Sequence, residues 1–212
     1  MRFAAPLLLL ACQDAPSGSP SDPPPTTPTI PGGGFEAPVA APLSDGDPVA
    51  RTPHRMNVDQ LKASMERVSG GIVWMEDDVV MFDDLAATLG KPDHIASTTE
   101  DLTPNLLFQK FLDDAATATC EGILDREASA AGTALLVHAT LGDTWESNPD
   151  AIEENLAAAL LRWHGRKVLP GEPQLEPWTF LFESTQHVGG DTRRAWTTVC
   201  VALFTHPDFY AY

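Results

Sequence analysis

The sequence predicts a mainly α-helical fold, a single orthogonal bundle of five or six helices with at most a minor β-hairpin, preceded by a disordered tether. Apolar residues recur at helical spacing along most of residues 52–212, and N-cap residues, prolines and glycines bound each such stretch. Residues 13–51 are instead rich in Pro, Gly, Ser and Thr. A segment of this composition buries too little apolar surface to offset the entropy of ordering, so we expect it to be disordered.

The first predicted helix begins after Asn57, a good N-cap residue, and ends near Val68 before Ser69-Gly70-Gly71. Its apolar face would consist of Val58, Leu61, Met65 and Val68. Two apolar runs then flank the acidic residues 76–78. This pattern fits either a small hairpin or a loop that leads into a short helix over residues 83–89.

The clearest helical pattern follows, with Thr103 as the predicted cap, Pro104 in the first turn and an end near Arg126. Its inward stripe would consist of Phe108, Leu112, Ala116, Cys120 and Leu124. Residues 128–141 remain ambiguous between a continued helix and a buried irregular segment.

Three more helices are predicted in the last third of the chain. One begins at Asn148-Pro149, one covers residues 174–187, and the last is capped by Asp191 and stopped by Pro207. The residues predicted to face inward are Ile152, Leu156, Leu160 and Trp163, then Leu175, Trp178, Leu181 and Phe182, then Trp196, Val199, Cys200, Leu203 and Phe204, with Phe209, Tyr210 and Tyr212 packing back on the core.

The amino-terminal residues Leu9-Leu10-Ala11-Cys12 resemble the lipobox of bacterial lipoproteins, and a single charge at Arg2 and a short apolar run precede them. The resemblance implies cleavage before Cys12 and attachment of acyl chains, of which two or more give stable membrane anchoring. The expected domains are a signal peptide (1–11), the lipidated cysteine with its tether (12–51) and a helical globular domain (52–212). A simple secretory signal, or an apolar start with a chance cysteine, is the alternative.

Location and charge limit the partners. Gln13 follows the cysteine at the position where Asp would favour retention in the inner membrane. By analogy with bacterial lipoproteins, we therefore expect the protein in the cell envelope, anchored at the outer membrane. The formal net charge of −17 argues against nucleic acid and against adsorption to anionic lipid head groups. We therefore expect membrane association through the lipid and an envelope protein partner.

The other two cysteines, Cys120 and Cys200, lie on predicted apolar stripes. The space outside the inner membrane is oxidising, so the pair can form a disulfide. Two separate buried thiols are the competing interpretation, because free cysteine packs like a small apolar residue.

Motifs that carry chemistry are missing from the sequence. No two of the six histidines have the i, i+4 spacing of a zinc helix, and neither Gly-x-Ser-x-Gly nor a calcium loop occurs. We therefore predict no catalytic residue, no metal ligand and no cofactor. Weak ligand or partner candidates are Trp74 and Trp145, which lie near predicted loops, and His164 and His206, which can approach each other if their helices pack.

Two segments resemble the planctomycete-type, cytochrome-c-associated domains of unknown function. The first is residues 51–61, and the second, longer one consists of Leu161-Arg162-Trp163-His164-Gly165-Arg166 and then the closing stretch 195–209. Such domains occur in secreted proteins, often beside haem-binding modules. This chain lacks the Cys-x-x-Cys-His run that attaches haem. The resemblance therefore implies a haem-free member, to which no electron transfer and no catalytic residue carry over.

Three functional hypotheses follow. The first is a non-enzymatic, lipid-anchored module that binds an envelope partner. The second is an accessory of an exported oxidoreductase system that holds haem or a metal ion non-covalently. The third is a hydrolase that uses acidic residues.

Overall fold

The computed structural model describes residues 54–89, 91, 102–129 and 134–212. In these residues the elements are α1 (Val58–Val68), β1 (Met75–Glu76), β2 (Val79–Val80), α2 (Met81–Asp84), a 3-10 helix (Ala86–Leu89), α3 (Leu106–Ala128), α4 (Pro149–His164), α5 (Glu176–Gly189), α6 (Thr192–Thr205) and α7 (Pro207–Tyr210). The prediction of a mainly α fold with a minor hairpin is confirmed. The predicted signal peptide, Cys12 and the tether lie outside the described residues.

The helix starts show how local sequence sets the boundaries. Asn57 begins α1 with a capping box, in which its side chain accepts from Gln60 N–H and the Gln60 side chain accepts from Asn57 N–H. The predicted cap of α3 was wrong by two residues. Asn105, not Thr103, accepts from Phe108 N–H at 2.8 Å, so Pro104 precedes the helix instead of forming its first turn.

Helix α6 is the central element of the described bundle and packs against α3, α4, α5 and α7. Its predicted inward residues are all buried, as are those of α3 and α4. In α5, Phe182 and the preceding Leu175 are buried, but Trp178 and Leu181 are only partly covered. One face of α5 therefore remains accessible near its amino-terminal half.

Helix α3 is buried more widely than one stripe. A second row of Phe111, Ala115, Thr119 and Ile123 is also covered. Cys120 and Cys200 are disulfide-bonded with a Cα–Cα distance of 5.8 Å, and both are fully buried. The structure thus joins α3 to α6 through the core, which is the first of the two alternatives that the sequence left open.

The segment after α3 is irregular from Ala134 to the start of α4. The fully buried Asn155 of α4 holds it in place: its carbonyl oxygen accepts from Val137 N–H and His138 N–H, and its amide donates to Leu135 O. Glu127 Oε1 accepts from the N–H groups of Leu135 and Leu136 as well, so two polar side chains replace the hydrogen bonds that regular structure would supply.

The carboxyl terminus returns to the start of the domain. Phe209 and Tyr210 are buried as predicted, but Tyr212 is 70% exposed, so the prediction that it packs inward was wrong. Backbone hydrogen bonds in both directions between His54 and Tyr212 fix the last residue and leave its ring outside. None of the described helices is long and apolar enough to cross a membrane.

Candidate metal centre

The ends of three helices bring two histidines and a carboxylate together. His164 is the last residue of α4, His206 links α6 to α7, and Asp208 lies in the first turn of α7. Each offers one ligand atom, and these atoms all lie within 4.8 Å of one another. All three residues are half-buried. The approach of the two histidines was anticipated from the sequence, whereas Asp208 was missed.

Local sequence fixes the backbone at each position. Gly165 ends α4 immediately after His164, in a left-handed conformation with φ 65° that suits glycine. His206 has extended backbone, and its Nδ1 accepts from Asp208 N–H at 3.1 Å, which caps α7 with Pro207 in the first turn. The end of α4 and the junction between α6 and α7 therefore hold the cluster without a long loop.

One ring nitrogen of His164, Nε2, already forms a hydrogen bond. His164 Nε2 lies 2.9 Å from the carbonyl oxygen of Leu203. A carbonyl can only accept, so the neutral ring must carry its proton on Nε2, and Nδ1 keeps a free lone pair. Metal-binding histidines typically donate their other ring N–H in this way.

Aromatic rings enclose one side of the cluster. The His164 and His206 rings stack with centroids 4.8 Å apart, and the Trp178 ring lies 5.6 Å and 6.0 Å from them. A groove of about 330 Å³ adjoins His206 and is lined mostly by apolar side chains, among them Trp178, Leu181 and Pro207. Trp178 is therefore partly exposed because it forms a wall of this site.

The environment favours the neutral form of His164. Burial is the largest cause that lowers its pKa below the ordinary 6.5, and nearby His206 and Arg166 act in the same direction. The hydrogen bond to Leu203 and the charge of Asp208 oppose this shift without cancelling it. A metal ion needs the neutral imidazole, so the lowered pKa extends the pH range over which His164 can bind one.

Asp208 carries the negative charge of the cluster. Its Oδ2 lies 3.7 Å from His206 Nδ1 and 2.5 Å from Arg166 Nη2. That oxygen is buried and accepts no hydrogen bond from the described residues, so the guanidinium of Arg166 is its charge partner.

The ligand set matches a borderline divalent transition metal. Two imidazoles and one carboxylate suit Zn²⁺, Cu²⁺, Ni²⁺ or Fe²⁺, whereas Ca²⁺ and Mg²⁺ require more oxygen ligands. Tetrahedral zinc with bonds of 2.0–2.1 Å places its ligand atoms about 3.3 Å apart. Modest side-chain rotation would close the cluster around such an ion.

The other sequence candidates lie elsewhere. Trp74 is 5% exposed, packs against Phe82 and Phe111 and donates to Glu76 Oε1. It therefore belongs to the core and does not form a ligand surface, because the hairpin folds its ring onto α3.

Trp145 is half-buried beside a cleft of about 310 Å³, and its backbone N–H donates to Gln186 Oε1. Cys12 lies outside the described residues.

The sequence also failed to single out Asp208 and Arg166. The only available signal was local: an acidic residue one position after a proline at a helix start is typical of the first turn. Nothing in the spacing shows that this turn meets the end of α4.

No protein-family description, curated protein or solved structure matches this chain. The resemblance to cytochrome-c-associated domains therefore stays a prediction.

Proposed function

We propose that this chain is an accessory module of the bacterial envelope that binds a divalent transition-metal ion at His164, His206 and Asp208. The observation that carries the proposal is the convergence of three ligand atoms of suitable chemistry within 4.8 Å. We further propose that acyl chains on Cys12 hold the module at the membrane, as the resemblance of Leu9-Leu10-Ala11-Cys12 to a lipobox implies.

His164 is well prepared for a metal ion, whereas the Nδ1 lone pair of His206 accepts from Asp208 N–H, so a metal ion bound at Nδ1 would replace this cap of α7. The Leu203 carbonyl orients His164 with a free Nδ1 lone pair, and the packing of α6 against α4 and α7 fixes both ring positions. Because little backbone movement is needed, binding would not require ordering of a loop.

The number of ligands favours an accessory role. Structural zinc sites are closed by four protein ligands, whereas the described part of the chain supplies three here, which leaves a coordination position for water or an outside donor. An open position lets a partner take part in coordination. We therefore favour a module that presents a metal ion to an envelope protein.

Zinc binding by the purified full-length protein in detergent tests the central claim. We expect one Zn²⁺ per chain in competition with a chromogenic chelator. His206→Asn keeps a good N-cap for α7 but removes the imidazole, and should lower the zinc affinity by at least tenfold. His187→Asn, at an exposed histidine outside the cluster, is the matched control. Equal zinc affinity in wild type and His206→Asn would refute the site.

The anchor is tested separately. Mass spectrometry of the mature protein should show cleavage before Cys12 and an acylated amino-terminal residue, and Cys12→Ser should release the protein from the membrane fraction. An unmodified amino terminus on protein found only in the cytosol would contradict the anchor and leave the metal site unaffected.

The partner is tested by affinity capture from detergent-solubilised envelope, with zinc or with a chelator present. A partner retained with zinc and lost with the chelator supports presentation of the metal ion. Recovery of no partner at several salt concentrations would count against the accessory role.

A further inference from the structure

Arg166 holds the oxygen that faces the rest of the candidate metal site. Its Nη2 is 2.5 Å from Asp208 Oδ2, and the same Oδ2 is the carboxylate atom 3.7 Å from His206 Nδ1. The guanidinium is thus the cation that neutralises Asp208 in the structure described here.

A metal ion bound to Oδ2 would compete directly with Arg166. Two cations cannot both contact one buried oxygen at short distance without strong repulsion. Arginine remains protonated at every physiological pH, so it cannot yield by losing its charge. Metal entry at Oδ2 therefore moves the guanidinium away.

The two partners differ in how easily they can move. The Arg166 side chain is 59% exposed, and it follows Gly165 beyond the end of α4. The Asp208 side chain is 27% exposed and belongs to the first turn of α7. Arg166 can therefore turn toward solvent while Asp208 stays in place.

Once displaced, Arg166 would lie beside a metal ion that has an open coordination position. The divalent charge exceeds that of Asp208, so the loaded site is locally positive although the whole chain carries −17. A guanidinium presents a planar fork of donors that matches a carboxylate or phosphate group.

We propose that the metal-loaded site binds a small oxyanion, with a carboxylate or phosphate group, between the metal ion and the Arg166 guanidinium that the metal displaces from Asp208. The inference rests on the proposed metal binding and assigns the chemical class of the outside ligand. Free metabolites and acidic side chains of a protein share this chemistry.

Sodium acetate is the probe. Zinc affinity is measured on the full-length protein with acetate or with chloride at equal ionic strength, and chelator-only titrations supply the correction for zinc–acetate pairing. Because coupling between two ligands is reciprocal, anion binding at the loaded site must tighten zinc binding, by roughly five- to tenfold at saturating acetate. Arg166→Gln should lose this acetate effect. In chloride, the variant should bind zinc as tightly as wild type or severalfold more tightly, since Asp208 is then free.

Lys167→Gln is the matched control, because it removes a neighbouring exposed charge that forms no ion pair within the described residues. It should keep the acetate effect. Zinc binding that is indifferent to acetate in wild type, or an acetate effect that persists in Arg166→Gln, would overturn the oxyanion site while leaving metal binding intact. Weaker zinc binding by Arg166→Gln in chloride would overturn the displacement step. A wild-type chain that binds no zinc would refute the proposed function itself.

A peptide carrying glutamate and a matched peptide carrying glutamine distinguish the source of the anion. Stronger tightening of zinc binding by the glutamate peptide than by acetate indicates an acidic protein partner. Equal tightening indicates a small metabolite, and either result supports the site.

Discussion

The half-buried His164 and the fully buried Asn155 have different roles in this domain. His164 keeps one nitrogen free while the other donates to Leu203 O, so its structural contact does not consume its capacity to bind. Asn155 uses both ends of its amide on the backbone of residues 135–138. The first arrangement is compatible with a ligand site, and the second is purely structural.

The lowered pKa of His164 predicts a pH dependence of stability. The unfolded chain takes up a proton on this residue near pH 6.5, whereas burial keeps the folded ring neutral to lower pH. Unfolding therefore takes up a proton in this interval, and the free energy of unfolding falls as the pH decreases from 6.5 toward the folded pKa. Above 6.5 this contribution is complete.

Urea unfolding of the metal-free protein at several pH values on both sides of 6.5 measures the effect, and NMR titration of the ring gives the pKa directly. His164→Gln should show a flatter pH dependence in the same interval. A His164 ring that titrates at or above 6.5 would contradict the prediction.

Replacing Asn155 by leucine leaves three buried or partly buried backbone groups without their partner. Each unsatisfied group costs about 1–3 kcal/mol, and apolar contacts of the new side chain offset part of the loss, so we expect a net destabilisation of about 3 kcal/mol. Urea unfolding measures it. Glu121→Leu, at an exposed position of α3 that forms no hydrogen bond or ion pair within the described residues, should change the stability by less than about 0.5 kcal/mol. Equal effects of the two substitutions would show that Asn155 does not hold the segment.

At the level of elements, periodicity and capping predicted most helices because their apolar stripes are long. The stripes of α4 and α6 are buried throughout. Boundaries that depend on a single hydrogen bond were less predictable: Asn105 rather than Thr103 caps α3 because its side chain reaches Phe108 N–H. Trp74 was misjudged for a tertiary reason, since only the packing of the hairpin on Phe111 shows that it is buried.

The hairpin turn carries a testable backbone cost. Asp77 and Asp78 both have positive φ, 46° and 66°, as the two central residues of a type I′ hairpin turn require. Glycine adopts the second of these conformations without a Cβ penalty, so Asp78→Gly should stabilise the domain by about 0.5 kcal/mol. Asp84→Gly, within helix α2, should instead destabilise it by up to about 1 kcal/mol. Thermal unfolding compares them, and a marked loss of stability in Asp78→Gly would argue against the turn.

Across the whole molecule, the candidate site depends on packing that no local pattern reveals. His164 and His206 are separated by α5 and α6 in sequence, and they meet because α6 packs against α4 while α7 turns back at Pro207. The sequence identified both histidines as candidates. Asp208 and its ion pair with Arg166 follow from tertiary structure alone, so the chemistry of the site could not be derived from spacing.

The disulfide has consequences for the whole fold, because it closes a loop of 80 residues between α3 and the central helix α6. Restricting the unfolded chain over such a loop contributes about 2–4 kcal/mol. The double variant Cys120→Ala/Cys200→Ala should therefore unfold at a lower urea concentration.

Because both sulfurs are fully buried, a reductant should reach the bond only after unfolding. Thiol labelling after treatment with reductant should then be negligible in buffer and complete in urea. Rapid labelling of the native protein would mean that the α3–α6 contact opens locally and would contradict this expectation.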